Sequence, residues 1–541
     1  MDSDVILRNG MIVDGTGRAP VPGSVVIANG RIVAVGDEHG ATAAVVVDCA
    51  GKAIAPGFID MHSHSDWVIP QPDHGRVLAP LVEQGITTIV GGNCGCSPAP
   101  FLPGNRTLLP LVGRMLHDHD LDYGWSSMGD FLDALDRRGL AMNVAQLVGH
   151  GTVRAAVKGL DAYPATPGQT SAMADLVRAA LDEGAIGLST GLGYAPGVYA
   201  DTDELVGVTK PLRERGGVYT SHARSYIALG HRENPEAPPS NLHALDETAA
   251  VYRAHGVPVQ HSHLIFVGDA TWPTTDRVLE HFDRLVDEGV DIACDAFPYV
   301  GGNTTLVVFM PPWSLNQLQE TVADPEQRQR AAGTIGWALP HLGMRWDDTQ
   351  VLWVPKRAYA HYEGRTIGEI ARERRQDPTE TYLDLVGELG SQTRIINWNY
   401  SGRDDEETSL RKVLQHPRTC FETDTILTGN GVDNPASYGT FPRVLGRYVR
   451  DLKLLTLEEA VRRMTGFSAD RMGLRDRGRV AQGYAADLVV FDPAVVGDRA
   501  DRRTPSRSPV GIETVLINGR IVVRDGRFDT SLRAGQVLRR P

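Results

Sequence analysis

A chain of 541 residues with a formal charge of −13 is a poor match for nucleic acid or an anionic membrane surface, both of which select basic partners. Hydrophobic residues make up 42% and charged residues 22%, ordinary for a globular protein with a large core, and no apolar run reaches the roughly 18 residues of a membrane span. Five cysteines (Cys49, Cys94, Cys96, Cys294, Cys420) are too few and odd in number for a disulfide framework, and Met1-Asp2-Ser3-Asp4 is acidic, so the expected setting is the cytoplasm.

The first 50 residues read as strands and turns. Val5–Gly10 followed by Met11–Val13 predicts strand, Asn-Gly turn, strand, and Val25–Val35 repeats the signature around Asn29-Gly30. Lys52–Asp60 follows as one buried strand. Residues i and i+2 of a strand share a face, so His62 and His64 project together past its end and can grip one metal ion. Further strands are expected at Ile86–Val90, Asn143–Val148, Ile186–Ser189, Gly217–Thr220, Val257–Gln260, Asp291–Cys294 and, poorly patterned, Arg418–Phe421. Helical segments such as Ser171–Glu183 and Ala244–His255 alternate with them. This alternation predicts an α/β protein built on a TIM-like (β/α)8 barrel, whose chemistry sits at the C-terminal ends of its strands.

Residues 297–350, with Pro311-Pro312-Trp313 and little strand pattern, read as an inserted loop or lid, and Glu236–Pro239 as a Pro-rich tract. Ala486–Phe491 and Val515–Val523 return to the hairpin pattern of the start. Residues 1–55 and 479–541 are therefore expected to form one small β-sandwich, with the barrel spanning 56–478. At strand ends stand His62, His64, Cys94, Cys96, His150, Tyr194, His222, His263 and Asp424. Imidazole, thiolate and carboxylate together suit Zn²⁺, and a thiolate can bridge two ions, so one or two zinc ions per chain are expected.

Several longer stretches carry a family pattern. They are APGFIDMHSHSD (55–66), GITTIVGGNCGCS (85–97), EGAIGLSTGLGYAPGVYA (183–200), TSHAR (220–224), VQHSHL (259–264) and YGTFPRVLGRYVR (438–450), with 457–491 completing the set. The chain resembles the amidohydrolase superfamily over nearly its whole length, and closely the N-acyl-D-amino-acid deacylases (D-aminoacylases). The resemblance implies a zinc-dependent hydrolase of a linear amide C–N bond acting on a small N-acyl substrate. His62 and His64 would hold one metal position. Cys94, His222 and His263 would hold a tighter one. Asp424 would bind a metal and serve as general base, then acid, against a plain reading as a helix N-cap. Cys96 falls at a variable position and is expected to be a small core residue. His261 is expected to be packed rather than ligating. His150 is balanced between a hydrogen-bonded rim residue and a direct role. Tyr194 and Arg224 are candidate substrate contacts, against plain readings as a rim aromatic and as an arginine paired to an acid such as Asp203 or Glu204.

The chain also departs from the family. Ile265 stands where these deacylases usually carry a lysine that holds the substrate carboxylate. Asn434-Pro435-Ala436-Ser437 replaces a His-Pro-Arg, and Thr423-Asp424-Thr425 replaces Ser-Asp-Gly. Ligand positions are kept while pocket residues change. This leaves open the same chemistry on a neutral or cyclic amide, carbamate or urea. A scaffold without catalysis is disfavoured, because every ligand position is filled. No nucleic-acid or membrane partner is expected, and a second copy of the chain is left open as a partner.

Overall fold

The structure is a computed structural model that describes residues 2–37, 40–120, 124–228, 239–403 and 406–540. Most of the Pro-rich tract at 236–239 lies outside the described residues.

Eight parallel strands form the barrel in sequential order: β1 (Phe58–Asp60), β2 (Ile86–Gly91), β3 (Asn143–Gly149), β4 (Gly187–Gly191), β5 (Val218–His222), β6 (Val259–His261), β7 (Ile292–Ala296) and β8 (Thr419–Phe421). The two edges meet just past the strand ends. Asp424 N–H donates to the His62 carbonyl (3.0 Å) and His64 N–H to the Thr425 carbonyl (3.1 Å). The residues that close the barrel are thus the candidate ligands and base themselves. Helices such as Pro167–Asp182, Thr202–Arg215 and Ser240–His255 cover the outside. The first of these starts at a capping box, Thr166 with Gln169, and places Pro167 where no intrahelical N–H is needed.

The two chain ends build one nine-stranded sheet, joined where Ala53–Pro56 pairs antiparallel with Leu488–Phe491. Leu7, Val25, Ile27 and Ile54 from the start share a buried core with Leu488, Val490 and Leu516 from the end. Two local expectations are corrected here. Asn9-Gly10 does not turn the chain. Asp2–Ile12 is one strand with a bulge between Leu7 and Gly10, and both halves pair with Val21–Ala28. Asn9 takes φ 62°, which a bulge accommodates as readily as a hairpin. Asn29-Gly30 and Asn518-Gly519 do make turns, with positive φ at both residues as a type I′ turn requires.

The run Lys52–Asp60 is also two strands, one in each sheet, broken at Gly57. A Cβ on Gly57 would lie 2.2 Å from the Thr87 hydroxyl oxygen on β2. Gly57→Ala is therefore expected to destabilise the fold by about 1–3 kcal/mol, the usual cost of overpacking a filled site. A thermal melt checks this, and an unchanged midpoint would contradict the close approach.

The insertion after β7 extends beyond the predicted 297–350. Its strands Gly302–Thr305, Thr349–Trp353 and Arg394–Asn397 form a separate antiparallel sheet, with helices Pro325–Leu342, Ile367–Arg374 and Pro378–Leu389. Leu306, Ile335, Val351, Tyr382 and Ile395 give it a core of its own. It is a folded unit rather than a loop. Its first strand, Gly302-Asn303-Thr304-Thr305, has no apolar alternation to betray it. No described helix is long and apolar enough to cross a membrane.

Candidate metal and active site

At the C-terminal mouth of the barrel the separated residues converge. Cys94 Sγ lies 3.2 Å from His62 Nε2, 3.5 Å from His222 Nδ1 and 3.8 Å from His263 Nε2. His222 Nδ1 and His263 Nε2 are 2.8 Å apart. On the other side, Asp424 Oδ1 is 3.5 Å from His64 Nε2 and 3.7 Å from His62 Nε2. Thiolate and imidazole ligands of one tetrahedral zinc ion stand roughly 3.3–3.6 Å from one another. The observed spacings bracket that value, so the donor set fits a zinc ion. Cys94 touches both groups of histidines, as a bridging thiolate would.

The electrostatics agree with this fit. Burial pushes the Cys94 thiol well above its usual range, and the Asp424 charge adds to the effect, so a thiolate here needs a cation beside it. Burial, reinforced by neighbouring imidazoles, pushes His62 and His222 well below the usual histidine range. His263 is lowered as well, by burial first. Neutral imidazoles are the form that ligates metal.

Each side chain is aimed by polar groups inside the barrel. The Asn93 amide donates to the Val90 carbonyl (2.9 Å), and Asp66 accepts from Gly92 N–H (2.9 Å) and the Gln146 amide (3.0 Å). These bonds fix the Gly92–Cys94 turn after β2. Gly191 at the end of β4 lets that turn lie close, since a Cβ there would sit 2.0 Å from the Cys94 carbonyl oxygen. Asp295, on β7, accepts from His263 N–H at 2.6 Å. Asp60 accepts from Thr423 N–H (2.9 Å) and its hydroxyl (2.6 Å), one residue before Asp424. Cys94, His263 and Asp424 all hold positive φ, at 52°, 30° and 46°. Such backbone costs about 1–3 kcal/mol per residue and persists where surrounding structure imposes it.

Asp60, Asp66, Asn93, Asp295 and Glu422 are missing from the sequence-based set. Burial pushes Asp60 up to about 7 and Asp66 up to about 6. Burial, then the charges of Asp295 and Asp424, pushes Glu422 well above the usual carboxylate range. The available signal was an acid interrupting an apolar barrel strand, as in Ile292-Ala293-Cys294-Asp295-Ala296.

Other candidates lie outside the cluster. Cys96 points to the carbonyls of Cys94 (3.3 Å) and Val112 (3.5 Å), and burial raises its thiol to about 12. The His261 ring packs beside Thr248, with Nδ1 3.2 Å from its hydroxyl, and burial lowers it to about 3. His150 pairs with Glu204 at 2.9 Å in a buried network with Arg154. No helix begins at Asp424; its carboxylate lines a cavity instead.

That cavity, about 260 Å³, opens over the cluster. Tyr194, Arg224, Tyr226 and Ile265 line it from the barrel side, and Asn303, Phe309 and Met344 from the insertion. The Tyr194 ring lies 4.4 Å from that of His222. Arg224 is committed elsewhere. It makes two 3.0 Å bonds to Glu247, not to Asp203 or Glu204, and donates to the carbonyls of Val198 (3.0 Å) and Ala200 (2.7 Å).

Comparison with known proteins agrees with this architecture. The amidohydrolase family model matches residues 45–523. D-aminoacylase of Alcaligenes xylosoxydans xylosoxydans is 34% identical over 99% of this chain and 98% of its own length. N-acyl-D-glutamate deacylase of the same organism is 35% identical over 99% and 96%. Among solved structures, N-acyl-D-glutamate deacylase from Bordetella bronchiseptica, complexed with zinc and a phosphonate mimic of the tetrahedral intermediate, is 33% identical. It superposes with a TM-score of 0.80 over the whole of both chains. With its matched residues and its barrel-mouth donor set, the chain belongs to the amidohydrolase family, as a metal-dependent hydrolase of the D-aminoacylase type.

Proposed function

We propose that the protein is a zinc-dependent deacylase that cleaves a linear N-acyl amide, with N-acyl-D-amino acids as the parent substrate class. The observation that carries this reading is the convergence of Cys94, His222 and His263 within 3.8 Å of one another, with Asp424 across from them beside His62 and His64. The relatives named for D-amino-acid deacylation support the substrate class. Cys94, His222 and His263 would hold one ion, and His62 and His64 a second. Zinc held there would supply Lewis acidity, which lowers the pKa of a bound water to about 7 and polarises an amide carbonyl. Asp424 takes the proton of the attacking water and returns it to the departing nitrogen. Tyr194 forms one wall of the cavity, its ring against that of His222.

A second reading keeps the chemistry and changes the charge of the substrate. Ile265 presents an alkyl chain to the cavity. Arg224, the one cationic side chain lining it among the described residues, has its guanidinium engaged by Glu247 and two carbonyls. Burying a carboxylate without a cationic partner is costly. A lost charge-assisted hydrogen bond is worth about 1.5–3 kcal/mol, or roughly 10–150-fold in kcat/KM. The experiment is a hydrolysis screen of N-acetyl-D- and L-amino acids against the corresponding amides and esters. The neutral D-compounds are expected to be cleaved faster than the free acids by that factor, and Ile265→Lys to recover part of the difference. Efficient turnover of the free D-acids with no gain from Ile265→Lys would remove the second reading and leave the first. Hydrolysis of none of these compounds would overturn both.

A further inference from the structure

Beneath the metal donors lies a carboxyl pair that the proposed chemistry does not use. Glu422, just past the end of β8, and Asp295 on β7 are both fully buried, and each carries a carboxyl oxygen within 4 Å of His62 Nδ1. Glu422 Oε2 is 3.3 Å from His62 Nδ1. Both atoms are buried without any hydrogen-bond partner. Asp295 is engaged on its other side, accepting from His263 N–H (2.6 Å) and the Gln260 amide (2.7 Å). The two carboxyls thus stand against one candidate ligand, His62, and Asp295 also holds the backbone of another, His263.

We propose that Glu422 is a positioning residue for the metal centre: it accepts the Nδ1–H of His62 and so fixes the tautomer that presents Nε2 to the metal. The inference rests on the reading of His62 as a ligand. Geometry favours it over a space-filling role. A buried carboxyl oxygen without a partner is costly, and His62 Nδ1, itself unpartnered, stands 3.3 Å from it on a residue whose Nε2 faces Cys94 and Asp424. An imidazole carries one proton when neutral, so a hydrogen bond at Nδ1 leaves the Nε2 lone pair free for a cation. Ligating histidines characteristically donate their second nitrogen to a carboxylate or carbonyl, and losing that partner costs about 10–100-fold in metal affinity.

The test compares the zinc-loaded unmodified protein with Glu422→Gln and Glu422→Leu. Zinc release is followed by competition with a chromophoric chelator, and folding by circular dichroism. Glu422→Gln keeps an acceptor oxygen and is expected to retain zinc close to the unmodified level. Glu422→Leu fills similar space without an acceptor and is expected to release the weaker ion about 10–100-fold more readily. Equal retention by both variants, or equal loss from both, would overturn the positioning role. A measurement free of any substitution stands beside these: ¹⁵N resonances of the histidine rings in the zinc-loaded protein should give His62 a protonated Nδ1. A protonated Nε2 would overturn the proposal even if the leucine variant did not fold. Absence of zinc from the unmodified protein would instead overturn the reading of His62 as a ligand.

Discussion

Cys94→Ala is expected to strip most of the bound zinc and nearly all activity, while Cys96→Ala keeps both. The two cysteines are one residue apart, yet their surroundings differ in kind. Cys94 Sγ sits among three imidazole nitrogens at 3.2–3.8 Å. Cys96 turns away toward two backbone carbonyls, and its thiol is held protonated by burial. Removing Cys94 takes the one anionic donor that touches both halves of the donor set. Neutral imidazoles alone would then face a divalent ion, with Asp424 the remaining charge. Metal analysis of the two purified variants beside the parent, with the hydrolysis rate of each, checks the expectation. Equal zinc and equal rates in the Cys94 variant would remove it from the metal.

Asp424→Asn is expected to give a folded, zinc-loaded protein with kcat lower by about 10²–10⁴-fold, the usual contribution of a general acid–base group. The amide keeps the shape and can offer an oxygen at the same place, but it cannot accept a proton. The backbone at Asp424 is held by the hydrogen bond to the His62 carbonyl and by Asp60 through Thr423, so the substitution leaves the barrel closure intact. Single-turnover kinetics with the metal content in hand separate a chemical defect from a metal defect. A fall of less than about tenfold would assign the proton transfer to another group.

Much of this site was legible before any coordinates. Seven of the eight barrel strands read as short apolar runs between helical segments, the eighth, before Asp424, is poorly patterned, and each candidate ligand stands at the end of one of them. His62 and His64 share a face because strand geometry repeats every two residues. What stayed hidden has specific causes. Gly57 splits one apolar run between two sheets, and only the approach of Thr87 reveals why a glycine is there. Asn9-Gly10 carries the same local signal as two true turns, and tertiary pairing with Val21–Ala28 decides it as a bulge. The insertion near 297–350 is legible, but its own sheet is not, because its opening strand is built from Gly, Asn and Thr. The inner carboxyls, Asp60, Asp295 and Glu422, have no spacing rule to betray them. Their roles depend on what stands opposite across the barrel, which is a property of the closed fold. Arg224 shows the converse, since a residue of the right type in a family motif is engaged by Glu247 on a neighbouring helix.

Hydrolysis by this protein depends on metal held by the Cys94, histidine and Asp424 donor set. The most direct test is a zinc titration of chelator-stripped protein, with the rate of cleavage of an N-acetyl-D-amino acid amide as the readout. The rate is predicted to be lost on stripping, to return with added zinc, and to reach its maximum once one or two ions per chain are bound. Undiminished hydrolysis by the stripped protein, or zinc binding that restores none of the rate, would contradict it.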